Sequence, residues 1–190
     1  MAHPTETVYG LGCLLRSTPL GALEEAKGRA LSARPFLVLA PDLSWVHDRF
    51  RWGSGEEKLA SRFWPGPLTL VLRPEGGTGM PAAVISEVGE VAIRLSSHPL
   101  TSALMEGMGE AMTSTSANRA GDLPARTGAE ASDAVRALGL SDAVVLDGGS
   151  LPPSPPSTVV RVSSGDVVLI REGAVSLEDV RAALEEGGEG

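Results

Sequence analysis

Near its start the chain reads Pro4-Thr5-Glu6-Thr7-Val8-Tyr9-Gly10-Leu11-Gly12, three polar side chains and two glycines between a proline and an apolar residue. Chain ends usually fray and tolerate almost any residue, so hydroxyls gathered on conformationally free backbone mark either a plain turn or a site. A second polar run, Thr113-Ser114-Thr115-Ser116-Ala117-Asn118-Arg119-Ala120-Gly121, places four hydroxyls in succession. If its first residues are extended, Ser114 and Ser116 share one face, while Asn118 and Gly121 tolerate the left-handed backbone of a turn. Such a turn offers hydroxyls and N–H groups to an anion; a merely polar loop is the alternative. Lys27 and Arg29 flank Gly28. Residues two apart on a helix diverge by about 200°, so both reach one ligand only if the helix breaks at Gly28. Otherwise they are two solvated charges at a helix carboxyl end, where cations are favoured.

Arg94 stands in the apolar run Val91-Ala92-Ile93-Arg94-Leu95. A guanidinium is not left buried and unpaired, so it either faces a carboxylate or phosphate at the strand's open end or pairs with an internal acid. Arg171, after Val167–Ile170, poses the same alternatives. Other chemistries lack their residues. His3, His47 and His98 have no metal-ligand spacing, and neither a P-loop nor a Gly-x-Gly-x-x-Gly run occurs. There is no Gly-x-Ser-x-Gly elbow, and Cys13 sits in apolar company as a small core residue.

The elements that must position these groups follow from periodicity. Thr18-Pro19 with Leu20, Leu23 and Ala26 predicts a helix ending near Gly28. Pro35–Ala40, Leu68–Leu72, Val91–Leu95 and Ala143–Leu146 predict buried strands. Ser54-x-x-Glu57, Thr127-x-x-Glu130 and Ser176-x-x-Asp179 predict capped helix starts, with Pro65, Gly139 and Gly187 as stops. Thr158–Val162 and Val167–Arg171 form a hairpin across Ser163-Ser164-Gly165-Asp166. Trp64-Pro65-Gly66-Pro67-Leu68-Thr69 is a rigid turn feeding a strand, with Trp64 packed beneath. Gly148–Pro156 is a stiff, proline-rich loop or lid. The fold class is α/β, one domain over residues 1–190, with a twisted mixed parallel and antiparallel sheet flanked by helices.

The 190 residues, 42% hydrophobic, suffice for one sizeable core. A single cysteine fits a reducing compartment, and no apolar run approaches a membrane span, so a cytoplasmic protein is expected. The net charge of −8 argues against nonspecific coating of nucleic acid. It is uneven: residues 1–73 carry nine Lys and Arg against seven acids, residues 120–190 five against twelve. An anion site should therefore draw on the first half.

Pro-Thr-Glu-Thr-Val-Tyr-Gly-Leu-Gly, Lys-Gly-Arg, Trp-Pro-Gly-Pro-Leu-Thr, Ala-Ile-Arg-x-x-x-His-Pro and Ser-Thr-Ser-Ala-Asn-x-x-Gly occur in that order. This series resembles the YrdC-type L-threonylcarbamoyladenylate synthases from residue 4 to about residue 125. A fainter similarity continues through Pro156-Ser157-Thr158-Val159-Val160 and Arg171-Glu172-Gly173. The resemblance implies a concave, positively charged cavity in which L-threonine, bicarbonate and ATP become threonylcarbamoyl-AMP and pyrophosphate. That is the first stage of making threonylcarbamoyladenosine in tRNA. Mg²⁺ would accompany ATP, and a downstream tRNA threonylcarbamoyl transferase would use the product.

Carried over residue by residue, the resemblance assigns Lys27 and Arg29 to the triphosphate as the catalytic cations. Thr5, Thr7 and Arg94 fall to threonine and its carbamate, and Ser114, Ser116, Asn118, Ser157 and Arg171 to the nucleotide. Gly10 and Gly12 would let backbone approach the ligand, and residues 5–12 would line one cavity with Lys27, Ser116 and Asn118.

The chain departs from the pattern at Ala30, where proline is usual after Lys-x-Arg, at Pro35, one residue later than usual, at Leu39-Ala40, where many members carry histidine, and at Arg161, where Asp is common. It also opens almost on the first motif, where the family usually has a helix and a strand first. Either the start is truncated or misassigned, or another strand fills the gap. Two other functions compete. An RNA-binding or ribosome-associated module, contacting tRNA or double-stranded RNA, would need a broad basic surface. The carbamoyltransferase domain of hydrogenase maturation comes with zinc-finger modules, which one cysteine cannot build.

Overall fold

In the computed structural model the described residues are 1–15, 17–28 and 35–186. Fourteen elements follow one another: β1 (Ala2–His3), β2 (Gly10–Leu11), α1 (Ser17–Ala26), β3 (Leu37–Leu39), α2 (Leu43–His47), α3 (Ser54–Phe63), β4 (Leu68–Leu72), β5 (Val91–Arg94), α4 (Pro99–Met108), β6 (Met112–Ser116), α5 (Gly128–Ala137), β7 (Thr158–Ser163), β8 (Asp166–Arg171) and α6 (Leu177–Glu185), besides a short 3₁₀ turn at Ala82–Val84. The strands join in one sheet of order β1-β2-β6-β3-β5-β4-β7-β8. β3–β5 and β4–β7 are parallel and the other pairs antiparallel, as a mixed sheet requires.

The register separates two chemistries across this sheet. Opposed residues share a face, and successive residues alternate. Gly10 lies opposite Ser116, Leu37 opposite Ser114, Leu39 opposite both Met112 and Arg94, and Val159 opposite Arg171. One face therefore carries Ser114, Ser116, Arg94 and Arg171. The other carries Leu11, Val38, Ile93, Leu70 and Val160, the centre of the main core. Leu20 and Leu23 of α1, Leu59 of α3, Val135 of α5 and Val180 of α6 join that core. On the polar face α4 covers only a small apolar patch, where Met105 meets Leu39 and Met112. The rest stays open.

Most predicted elements fall where periodicity put them, and the differences have local causes. Thr127 caps α5 as expected, its Oγ1 accepting from Glu130 N at 3.1 Å while Glu130 Oε2 accepts from Thr127 N at 3.2 Å. Ser176 likewise caps α6, accepting from Asp179 N. α3 begins one residue differently: Gly53 is its N-cap, and Glu56, not Glu57, reaches back to Gly53 N at 3.1 Å. α3 ends before Pro65 and α5 before Gly139, whereas Gly187 lies outside the described residues. The hairpin turns on Ser164 and Gly165, both at positive φ (54° and 82°), matching a two-residue primed turn.

Ala143–Leu146 is not the buried strand its composition predicts. Val145 makes one isolated parallel bridge to Ala2, and Val144 is mostly exposed. Among the described residues its sheet neighbour is the two-residue β1, too short to propagate a ladder or cover a second face.

Arg161, one of the departures from the family pattern, ends in an ion pair with Glu90 (Nη1–Oε2 3.1 Å), which also lies 3.5 Å from Arg73. Trp64 donates its Nε1 hydrogen to Leu68 O at 2.7 Å and meets Trp52 edge-on, so the turn before β4 is scaffold as expected. No helix among the described residues is long and apolar enough to cross a membrane.

The caps give a stability test. Thr127→Ala should lower the unfolding free energy by about 1 kcal/mol in urea denaturation, because the Glu130 N–H loses its acceptor. Ser54→Ala, beside a cap built by Gly53 and Glu56, should stay within about 0.5 kcal/mol of wild type.

Candidate functional site

The open part of the polar face is a cavity of about 290 Å³. Its wall includes Thr5, Thr7 and Gly10 from the amino-terminal motif, Arg94 from β5, Ser114 and Ser116 from β6, and Ser157 and Arg171 from the late hairpin. Residues 166 apart in the chain thus meet because β2, β6, β5 and β8 each present the same face. Past Val8, Pro124 and Pro156 the cavity adjoins a larger groove of about 860 Å³. That groove runs between the 117–126 segment, the exposed side of α5 and the proline-rich stretch Pro153–Pro156.

The amino-terminal motif is held, not frayed. Thr5 Oγ1 donates to Val8 O at 2.7 Å and accepts from Thr7 N and Val8 N, both at 3.2 Å. Its proton is spent on the loop, so Thr5 organises the turn. Thr7 Oγ1, 3.1 Å away, then donates to Thr5 Oγ1 and keeps its acceptor capacity on the cavity side. Thr101 Oγ1 donates to Pro4 O, pinning the motif to α4. Tyr9 is fully buried, and its hydroxyl donates to Gly149 O (2.8 Å) and accepts from Gly148 N (2.9 Å).

The two glycines serve the protein more than a ligand. A Cβ at Gly12 would lie 2.0 Å from Thr113 O, and Gly12 is not among the residues lining this cavity, so its expected role beside a ligand is corrected to close strand packing. Gly10 does line the cavity, yet a Cβ there would meet His3 Cε1 at 2.5 Å and Ser114 Oγ at 2.7 Å.

The cations differ in their commitments. Arg94 is buried, its Nη1 3.8 Å from Glu6 Oε1, a distance that makes an ion pair but not a hydrogen bond. Ser96 Oγ donates to the other Glu6 oxygen at 2.7 Å. Arg171 donates from Nε and Nη2 to Ser157 O (3.2 and 2.7 Å) and from Nη2 to Ser157 Oγ (3.0 Å). Ser157 Oγ in turn contacts Thr69 Oγ1 at 2.9 Å. Burial lowers the pKa of both guanidiniums; Glu6 opposes this at Arg94, while the like charge of Arg94 deepens it at Arg171. A buried cation and a second, more exposed one on the same wall both gain from an anion placed between them.

Lys27 Nζ donates to Asn118 O (2.6 Å), Ser116 O (3.1 Å) and Asn118 Oδ1 (3.2 Å), tying the end of α1 to the end of β6. Ser116 Oγ donates to the same Asn118 Oδ1 at 2.6 Å. Asn118 lines the larger groove, so Lys27 and Asn118 stand next to the cavity that holds Ser116. Arg29 and Ala30 lie outside the described residues.

The proline-rich loop is strapped along its length. Tyr9 holds Gly148 and Gly149, Leu151 N donates to Arg126 O, and the Arg126 guanidinium donates to Pro152 O (3.1 Å) and Ser154 O (3.0 Å). Glu6, Ser96, Thr101 and Arg126 are groups the motifs did not single out. Glu6 lay inside a quoted motif, but only its neighbours carried hydroxyls.

Cys13 is half-buried, with Sγ 3.5 Å from Thr113 Oγ1, and burial raises its thiol pKa, as suits packing rather than nucleophilic attack. Among the described residues no three His, Cys, Asp or Glu side chains cluster as metal ligands would.

A family model named for Sua5, YciO and YrdC, and described as "Telomere recombination", matches residues 1–173. The chain belongs to the Sua5/YciO/YrdC family. A Sua5/YciO/YrdC relative, the threonylcarbamoyl-AMP synthase of Bacillus subtilis (strain 168), is 37% identical over 188 residues, covering 97% of this chain and 52% of that protein. The threonylcarbamoyl-AMP synthase of Chromohalobacter salexigens is 35% identical over 175 residues, 88% of each protein. Among solved structures of the family, P. abyssi Sua5 complexed with L-threonine superposes with a TM-score of 0.82 at 29% identity, covering 96% of this chain and 52% of that one. E. coli YciO superposes at 0.78 with 23% identity, covering 94% and 85%, a likeness of fold alone. The chain spans about half the length of the Bacillus and Pyrococcus relatives.

His3 supplies a pH test. It is wholly buried beside the cavity floor, Nε2 3.4 Å from Ser114 Oγ, and burial lowers its pKa to about 3. Between that value and 6.5 the unfolded chain takes up a proton that the folded chain refuses, so stability must fall as pH falls through this window. Urea midpoints measured from pH 7 to pH 4 should drop more steeply for the wild type than for His3→Gln.

Proposed function

We propose that this chain forms the site of a threonylcarbamoyl-AMP synthase, joining L-threonine, bicarbonate and ATP into threonylcarbamoyl-AMP and pyrophosphate. The observation carrying this reading is the single cavity that unites Thr7, Arg94, Ser114, Ser116, Ser157 and Arg171 and adjoins a groove large enough for a nucleotide. Family membership and the shared name of the Bacillus and Chromohalobacter relatives support it.

The chemistry asks for positioning more than for acid–base catalysis. The threonine amine attacks CO2 released from bicarbonate and loses a proton, giving a carbamate. A carbamate oxygen then attacks the α-phosphorus of ATP, the bond from that phosphorus to the bridging oxygen breaks, and pyrophosphate carries away the electron pair. In this reading Arg94 holds the threonine carboxylate, Thr7 contacts the carbamate, and Arg171, which the resemblance assigned to the nucleotide, lines the same cavity as Arg94 and joins it at the carboxylate. Thr5 keeps the turn in place. Ser116 and Asn118 mark the passage to the nucleotide groove, and Lys27, with Arg29, neutralises the phosphates.

Mg²⁺ would accompany ATP and neutralise charge on its phosphates. The product is a mixed anhydride, so an acyl-accepting step on a tRNA adenosine must consume it, in the cytoplasm. The alternative reading as an RNA-binding module is not favoured, since these relatives bear synthase names and the net charge is −8.

Pyrophosphate release from ATP should require threonine and bicarbonate together; release indifferent to both would remove the synthase reading. Lys27→Ala should weaken ATP binding by about 1.5–3 kcal/mol if a charge-assisted phosphate contact is lost. Thr7→Val should raise KM for threonine more than Thr5→Val does, while thermal melts show the larger loss of stability for Thr5→Val, whose hydroxyl serves the fold.

A further inference from the structure

Among the described residues, four of the six buried polar side-chain atoms without a hydrogen-bond partner belong to groups close enough to act on one another electrostatically: His3 Nδ1, Glu6 Oε1, Arg94 Nε and His98 Nδ1. The odd member is Glu6. Its carboxylate is largely buried, is not part of the cavity wall, and is fixed through Ser96 Oγ at 2.7 Å. Its free oxygen points to Arg94 at 3.8 Å, close enough to balance charge and too far to occupy a donor. Arg94 is thus neutralised from behind by an acid that leaves its hydrogen-bonding capacity to the cavity. Fully satisfying pairs look different: Arg171 spends Nε and Nη2 on Ser157.

We infer that Glu6 is a positioning residue that acts through Arg94, a resident counter-ion that holds the guanidinium in place and weakens the pull of the cavity on anionic ligands. Two carboxylates, that of Glu6 and that of a bound ligand, converge on one buried cation, so each lowers the gain from the other. The device suits a site whose occupant gains negative charge as the reaction proceeds, because a cavity with two uncompensated guanidiniums would retain its product. Only the identity of the natural anion rests on the synthase reading; the electrostatic role does not.

The test is a graded series. Glu6→Gln keeps an acceptor for Ser96 and removes the charge, and Glu6→Asp withdraws the charge by one methylene. Dissociation constants for inorganic phosphate and for L-threonine would be measured by titration calorimetry, alongside thermal melts. Phosphate should bind about threefold more tightly to Glu6→Asp and about tenfold more tightly to Glu6→Gln, while both melt lower than wild type for want of the ion pair. In turnover, kcat and KM for threonine should fall together.

A residue that only supports the fold would lower the melt and leave affinity unchanged or weaker, and that result for phosphate overturns the inference. Should Glu6→Gln fail to fold, the sign of the change in Glu6→Asp decides alone. If phosphate tightens through the series but no form binds threonine, Glu6 keeps its role and the synthase reading is what fails.

Discussion

Arg94 is buried with most of its water removed, it shares one small cavity with the more exposed Arg171, and much of the surrounding structure answers that fact. Ser157 and Thr69 form the chain of hydroxyls and carbonyl that satisfies Arg171. Glu6 and Ser96 stand behind Arg94. A desolvated cation with a like charge nearby is tolerable only where donors, acids or ligands compensate it. The fold meets this need by bringing the start of the chain, the end of β5 and the end of β8 onto one face of the sheet.

That arrangement depends on an uneven division of labour across the sheet. One face carries the main apolar core, to which α1, α2, α3, α5 and α6 all contribute, so it supplies the cohesion. The opposite face is closed only under α4 and is free to be polar. Loops then finish the walls, and each is fastened by groups from elsewhere: the amino-terminal turn by Thr5 and Thr101, the proline-rich stretch by Tyr9 and Arg126, the 117–122 turn by Lys27 and Asn118. The cavity is built from tied loops over a rigid floor, which suits a reaction that relies on placement.

Much of this was legible in the residues themselves. Ser114 and Ser116 share a face because the run is a strand, and Arg94 and Arg171 signalled a site because a guanidinium in an apolar strand needs a partner. Capping pairs at Thr127 and Ser176 marked helix starts through local hydrogen bonds, which sequence records directly. What stayed hidden was non-local. That Glu6, not a ligand alone, balances Arg94 depends on two segments 88 residues apart. Ala143–Leu146 has strand composition, but composition cannot say that its neighbour is two residues long. The role of Gly12 was misread for the same reason, since the atom that needs its missing side chain, Thr113 O, sits on another strand.

The Tyr9 hydroxyl reaches Gly149 across 140 positions, and the cavity wall runs from Thr5 to Arg171. Closing so long a loop costs chain entropy before its contacts repay it. On a ribosome the Thr5 motif emerges well before β8, and its pocket has no far wall until that hairpin is made. Nascent fragments that stop before β8 would carry the hydroxyls and Arg94 with nothing to enclose them. The site is therefore complete only once the late hairpin has folded back beside the Thr5 motif.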